Sequence, residues 1–193
     1  MKPLQIFFLV NILFFFFLSN VDLFRIPAEL WQRSDYALSQ SLKSTAEAKA
    51  NQLGVSIAEI GSRYDGISNS FAKGFVVVFI PILALVFCVL FFKKRYQVGK
   101  HIVFASHFFS FVLLLLVLWS MLLDVLFNEV SREFFIYPVM LFILSYLALA
   151  IRKFYQVNLF LSAISAAFIF LIMLQGIEIY RELISTISMA YVK

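Results

Sequence analysis

Residues 93–111 read KKRYQVGKHIVFASHFFSF. Lys93, Lys94, Arg95 and Lys100 open the stretch with no acid among them, and an apolar run follows from Ile102. The stretch also carries both histidines of the chain, His101 and His107. An abrupt change from clustered cations to an uncharged apolar run is what a helix entering a bilayer looks like. The run satisfies its own backbone hydrogen bonds in hydrocarbon, and the cations stay in water or among headgroups.

The rest of the chain agrees. It has 193 residues and is 63% hydrophobic, with a mean hydropathy of +0.94. Soluble domains average about 45–50% apolar residues, and a core of this size has no room for the excess. Lipid is therefore the solvent for much of the chain. The net charge of +5 sits beside apolar runs, which favours a membrane surface over nucleic acid as the partner. Cys88 is the only cysteine, so an intrachain disulfide and a CxxC metal knuckle are excluded. The 25 phenylalanines read as lipid-facing bulk.

Four uncharged apolar runs, 75–92, 102–123, 134–151 and 157–177, are each long enough to cross a bilayer as a helix. Pro81 falls inside the first and predicts a kink there, freeing a carbonyl near Val78 or Phe79. An N-terminal run at 4–18 follows Lys2. It is either an uncleaved anchor or a signal peptide's apolar core. Asn20 and Asp22 fit a cleavage site poorly, which favours the anchor.

Residues 21–74 differ in kind, with six basic and six acidic residues. Pro27 suits a first helical turn. Leu38, Leu42, Ala46, Lys49 and Leu53 recur at helical spacing, and Gly54 supplies a stop. Ser56 and Glu59 are spaced as a reciprocal capping box, and Gly61 and Gly66 predict that the helix it opens is short. The expected fold is all-α: a polytopic transmembrane helix bundle of four core spans plus an N-terminal anchor or signal span. The expected organisation is 1–20 anchor or signal, 21–74 extracytoplasmic helical segment, 75–180 four-helix bundle, and 181–193 extracytoplasmic amphipathic tail. After Gly176 the chain becomes amphipathic, with Tyr180, Leu183, Ile184 and Ile187 on one face.

Orientation follows from the loops. Lys93, Lys94, Arg95 and Lys100 fill one short loop, Arg152 and Lys153 another, and Lys2 joins them. The positive-inside rule places these in the cytoplasm. All 11 acids fall on the other side, ending with Asp124, Glu129, Glu133, Glu178 and Glu182. The expected path has the N-terminus in and the C-terminus out, with Tyr96 and Tyr155 anchoring the cytoplasmic edge and Trp119, Tyr137 and Tyr180 the outer one.

The candidate functional residues are His101, His107 and Ser110. Six residues separate the histidines, so their rings point about 120° apart and do not share one metal. His101 is expected at the interface, on headgroups or helix ends. His107 is expected to face the bundle, bonded to Ser110 or to Ser145, Ser162 or Ser165. An ionisable side chain inside a membrane marks a functional hypothesis, here proton relay or substrate contact. Lys93, Lys94, Arg95, Lys100, Arg152 and Lys153 are expected to fix topology and meet anionic headgroups. Ser162/Ala166 and Ala163/Ala167 form two small-xxx-small pairs, suited to packing in the bundle or to an oligomer contact. No cofactor or metal is expected. The sequence has no GxSxG, HExxH, phosphate-loop motif or paired carboxylates within a span, which counts against an enzyme.

The stretch FIPILALVFCVLFFKKRYQVGKHIVFASHFFSF resembles the signature of a bacterial integral membrane family, domain of unknown function 3667. The matching positions are Pro81, Lys94, Arg95, Tyr96, His101, Val103, Phe104, His107 and Phe111. YLALAIRKFYQ is similar to the family's next cytoplasmic turn, at Tyr146, Arg152 and Tyr155. The likeness covers about residues 75–170. It implies a multi-pass protein of the bacterial inner membrane and no particular reaction. Many members begin with a Cys-rich zinc-ribbon-like segment that has no counterpart in these residues. The leading functional expectation is a non-enzymatic membrane component binding lipid or an extracytoplasmic protein partner. The alternative is a small transporter or channel subunit using His107.

Overall fold

The computed structural model describes residues 3–17, 24–33, 37–126 and 136–193. Lys2, Asn20, Asp22, Asn128, Glu129 and Glu133, and the side chains of Leu38 and Asp124, lie outside the described residues. Within them the chain is all-helical. The helices are α1 (Pro3–Phe17), α2 (Ala28–Arg33), α3 (Ala37–Leu53), α4 (Ile57–Phe75), α5 (Phe79–Leu90), α6 (Val98–Leu126), α7 (Ile136–Tyr155) and α8 (Leu159–Tyr191). Four helical stretches are long and apolar enough to cross a membrane: Ile57–Leu90, Val98–Leu123, Tyr137–Tyr155 and Leu159–Tyr191. The chain is thus a multi-pass membrane protein by length and composition. The helix α1 is apolar but shorter, at 15 residues.

Two compact units emerge, Met1–Ser19 with Val78–Met173, and Asn20–Val77 with Leu174–Lys193. The first is built on α6. Half of the apolar window of α6 is buried, against 22% for α7 and 28% for α8, which makes α6 the central helix. Its buried positions His101, Phe104, Ala105, Phe108, Phe109, Val112 recur at i, i+3, i+4, i+7, i+8, i+11. The small Ala105 and Ser106 are fully buried, which lets neighbouring backbones come close.

Aromatic rings make the contacts. Phe109 meets Phe7 of α1 at 6.1 Å and stacks on Phe79 of α5 at 5.6 Å. Phe104 meets Phe87 edge-on at 4.8 Å, and Phe111 stacks on Tyr146 of α7 at 3.7 Å. Lipid tails are as apolar as these side chains, so transfer from water does not drive this packing; ring-on-ring fit does, at about 0.5–1.5 kcal/mol per pair. The phenylalanines are therefore divided. Phe8, Phe16, Phe142, Phe160 and Phe168 are exposed, as the composition suggests, but Phe7, Phe14, Phe87, Phe104, Phe108 and Phe109 are core.

The helical stretch Ile57–Leu90 tightens into a 3-10 turn at Val76–Val78, just before Pro81, and α5 starts at Phe79. A distortion at this place is what a proline three to five residues on produces, since its ring and missing N–H disturb the preceding turn. In α8, Ser162 and Ala166 are buried and Ala163 and Ala167 exposed, so the two small pairs lie in different surroundings.

The second unit has a water-style core of Ala28, Leu42, Ala46, Ala50, Ile60, Tyr64, Met189 and Val192. The stripe of α3 runs Leu42, Ala46, Ala50; Leu53 is exposed, and the Lys49 ammonium donates to the Val192 carbonyl at 2.6 Å. Gly54 ends α3 at φ +67, where the Val55 amide donates to the Ala50 carbonyl at 3.1 Å. Ser56 caps α4 by accepting from the Glu59 amide at 3.2 Å. The reciprocal arm is replaced, since the Glu59 carboxylate accepts from Arg63 one turn on.

The helix α4 is longer than its glycines predict, at 19 residues. Each glycine costs about 1 kcal/mol, but the seam Ile60, Tyr64, Ser68, Ala72 is buried at four-residue spacing and offsets it. Tyr180 is not an edge anchor. It is buried, packs edge-on to Phe24 and donates to the Ala72 carbonyl at 2.9 Å. The buried face of the tail is Tyr180, Ile184, Ser185 and Ser188, leaving Leu183 and Ile187 exposed.

Asp65 ties the unit's first strand of coil to α4. Its Oδ1 accepts from Arg25 at 2.6 Å and from the Ala28 amide at 3.0 Å, capping α2, and the neighbouring Tyr64 hydroxyl donates to the Ile26 carbonyl at 2.7 Å. Both members of the ion pair keep some solvent contact, which limits its worth. Asp65→Ala should cost about 1–2 kcal/mol, read as a lower midpoint in thermal unfolding of the detergent-solubilised chain.

Candidate functional site at the basic end of the bundle

Two turns meet at one end of α6. After α5, a 3-10 turn at Phe92–Lys94 leads to Arg95, which adopts φ 50 and donates its amide to the Phe92 carbonyl. After α7, Gln156 adopts φ 51, and Asn158 then opens α8 by accepting from the Leu161 amide at 2.8 Å. A non-glycine residue in the left-handed region costs about 1–2 kcal/mol. The turns are held together by Lys94 donating to the Gln156 carbonyl at 3.3 Å and Tyr96 donating to the Phe154 carbonyl at 3.4 Å.

Beneath them lies a buried polar pair. His101 is 1% exposed and Tyr155 fully buried. The His101 Nδ1 and the Tyr155 hydroxyl are 2.8 Å apart. With the proton on Nε2 the phenol donates to Nδ1; with it on Nδ1 the phenol accepts. Either way the bond forms without a charge. The surrounding wall is aromatic. Phe91 stacks on Tyr155 at 4.0 Å, Tyr96 stacks at 5.8 Å, and Phe104 meets it edge-on at 5.4 Å. A hydrogen bond in so apolar a cage is stronger than in water, and either partner alone would be costly.

The two histidine side chains exchange their expected surroundings. His101 does not reach headgroups, because it belongs to the buried stripe of α6 that continues through Phe104 and Phe108. His107 does not face the bundle. It is exposed, and lines an open groove between α6 and α7 with Phe104, Tyr146, Leu149, Ala150, Lys153 and Phe154. Ser110 is not its partner, since its hydroxyl donates back to the Ser106 carbonyl at 2.7 Å. Ser106 and Ser162 likewise bond carbonyls of their own helices. Serines in lipid satisfy themselves this way when no neighbour offers an acceptor.

Tyr155, read from sequence as an edge anchor, is the centre of the site. The signal was present: Val139, Ile143, Leu147, Ile151 and Tyr155 repeat every four residues and are all buried. Lys93, Lys94, Arg95, Lys100, Arg152 and Lys153 are all exposed around this end. The Lys100 ammonium sits 4.7 Å from the centre of the Tyr96 ring, a cation–π geometry. Among the described residues no group of three His, Cys, Asp or Glu side chains is placed to hold a metal ion.

Fold and site together define a multi-pass helical membrane protein with an aromatic-sealed His–Tyr pair beneath a cationic rim. Comparison with protein-family models, with curated proteins and with solved structures finds no match.

Tyr155→Phe keeps the stack but leaves His101 without its partner, and should cost about 1–3 kcal/mol. His107→Ala should stay within about 0.5 kcal/mol. Thermal unfolding of both variants in one detergent checks the contrast, and equal losses would contradict the burial pattern.

Proposed function

We propose that the chain is a non-enzymatic membrane component whose basic end binds anionic lipid headgroups. The observation that carries this is the grouping of six exposed cations on two turns pinned to one another and on the helix ends beside them. No carboxylate occurs in sequence at 66–123 or 134–177 to neutralise them. Asp124 is at the far end of α6, about 36 Å along the axis from Lys100 at 1.5 Å per residue. Each cation near an anionic surface contributes about 1 kcal/mol.

In this reading the basic end is cytoplasmic and the membrane is a bacterial inner membrane. The N-terminus lies inside, the C-terminus outside, α1 is a fifth membrane element, and the polar segment 21–74 is extracytoplasmic. A transport role would need an ionisable group facing a path within the bundle. His101 is sealed by rings and bonded to Tyr155, and His107 faces outward, so lipid binding is the better-supported reading.

Replacing Lys93, Lys94 and Arg95 together by Gln should weaken binding of phosphatidylglycerol by about two orders of magnitude. Titration of the detergent-purified chain would measure it, with a steep salt dependence and little effect on phosphatidylcholine. Equal affinity for the two lipids would overturn the reading. A reporter active only outside the cytoplasm, fused after Lys193, should be active; an inactive one would overturn the orientation.

A further inference from the structure

The groove between α6 and α7 combines features that the general attraction of a basic surface does not explain. Its floor is apolar, from Phe104, Tyr146, Leu149 and Phe154. Two polar side chains enter it, His107 and Lys153, and both are exposed. His107 makes no hydrogen bond to any described residue, and Ser106 and Ser110 on either side of it along α6 are bonded to carbonyls of their own helix.

Depth makes this informative. The helices run antiparallel, with His101 against Tyr155, Phe104 against Phe154 and Phe111 against Tyr146. Position 107 is therefore level with about Ala150. Lys153 lies about 5 Å nearer the basic end than His107, and Lys100 about 10 Å nearer, at 1.5 Å per residue. The headgroup layer is only about 5–7 Å thick on each side of a hydrocarbon core of about 30 Å. With Lys100 at the outer edge of that layer, position 107 lies about 3–5 Å below it, a depth from which an imidazole reaches the boundary where headgroups give way to acyl chains. With no partner among the described residues, an imidazole at that depth takes its hydrogen-bond partner from the lipid. The acceptors that a bilayer offers at that level are the glycerol ester carbonyls, one glycerol unit below the phosphate.

We propose that this groove is a binding site for one diacyl anionic glycerophospholipid. The Lys153 ammonium meets the phosphate, the His107 N–H donates to an ester carbonyl, and one acyl chain lies along Tyr146 and Leu149. The proposal rests on the anionic-lipid reading and adds a place, a stoichiometry and a requirement for the ester.

The test is native mass spectrometry of the full chain, delipidated and titrated with phosphatidylglycerol in its diacyl and diether forms. The diacyl lipid should bind as a single copy, about 3- to 10-fold tighter than the diether lipid, the worth of one hydrogen bond. His107→Leu should remove that preference and His107→Gln, which keeps an N–H donor, should restore part of it. Lys153→Gln should weaken both lipids alike. Free glycerol phosphate should not compete; competition would mean a phosphate site only and overturn the proposal. If diacyl and diether lipids bind the wild-type chain equally, the ester contact is wrong. If phosphatidylglycerol binding survives Lys153→Gln and His107→Leu but falls with Lys93, Lys94 and Arg95 replaced, the groove is wrong while the anionic-lipid reading stands. If phosphatidylglycerol binds no better than phosphatidylcholine, both fail.

Discussion

The hydrogen bond between His101 and Tyr155 is what the basic end depends on. It is a polar contact inside a ring of aromatic side chains, where neither group has water to fall back on. Breaking it leaves two unpaired groups, so α6 and α7 are committed to one register. That register sets the rest. It brings Tyr96 under the α7 terminus and the Lys94 chain to Gln156, and it absorbs two left-handed residues, Arg95 and Gln156. The backbone cost at these turns is local, and the hydrogen bonds that offset it come from the opposite turn.

The cations gain from this rigidity. Long basic side chains on separate, independently moving loops present a diffuse field. Here the turn carrying Lys93 to Arg95 is tied to the turn that follows Arg152 and Lys153, so their charges form one patch. Sealing of the His–Tyr pair by Phe87, Phe91 and Phe104 separates this surface from the bundle interior. The site has a wet, charged outside and a dry, neutral inside.

Much of this was legible in the sequence. The apolar runs and the absence of acid around residues 93–100 identify a multi-pass membrane protein, since length and charge are one-dimensional properties. The Gly54 stop and the Ser56 cap are local chemistry and were readable too. The surroundings of the histidines are harder to read, because in a span apolar on every face the buried stripe must be found from periodicity alone. The stripes did exist, His101 with Phe104, Ala105 and Phe108, and Ile143 with Leu147, Ile151 and Tyr155. Amphipathic contrast, the usual guide, is missing when lipid and core are equally apolar. The length of α4 also escaped, because the burial that outweighs Gly61 and Gly66 comes from residues distant in sequence, Leu42 and Met189 among them.

The serines of α6 have a mechanical consequence. Ser106 and Ser110 turn their hydroxyls onto their own helix, and the side-chain hydrogen bond between α6 and α7 among the described residues is that of His101 with Tyr155. From there to Phe111 the two helices meet through ring faces without polar latches, Phe108 and Phe111 on Tyr146 among them. Ring faces tolerate small tilts that a buried hydrogen bond does not, so the pair has one stiff point and a compliant face beside it.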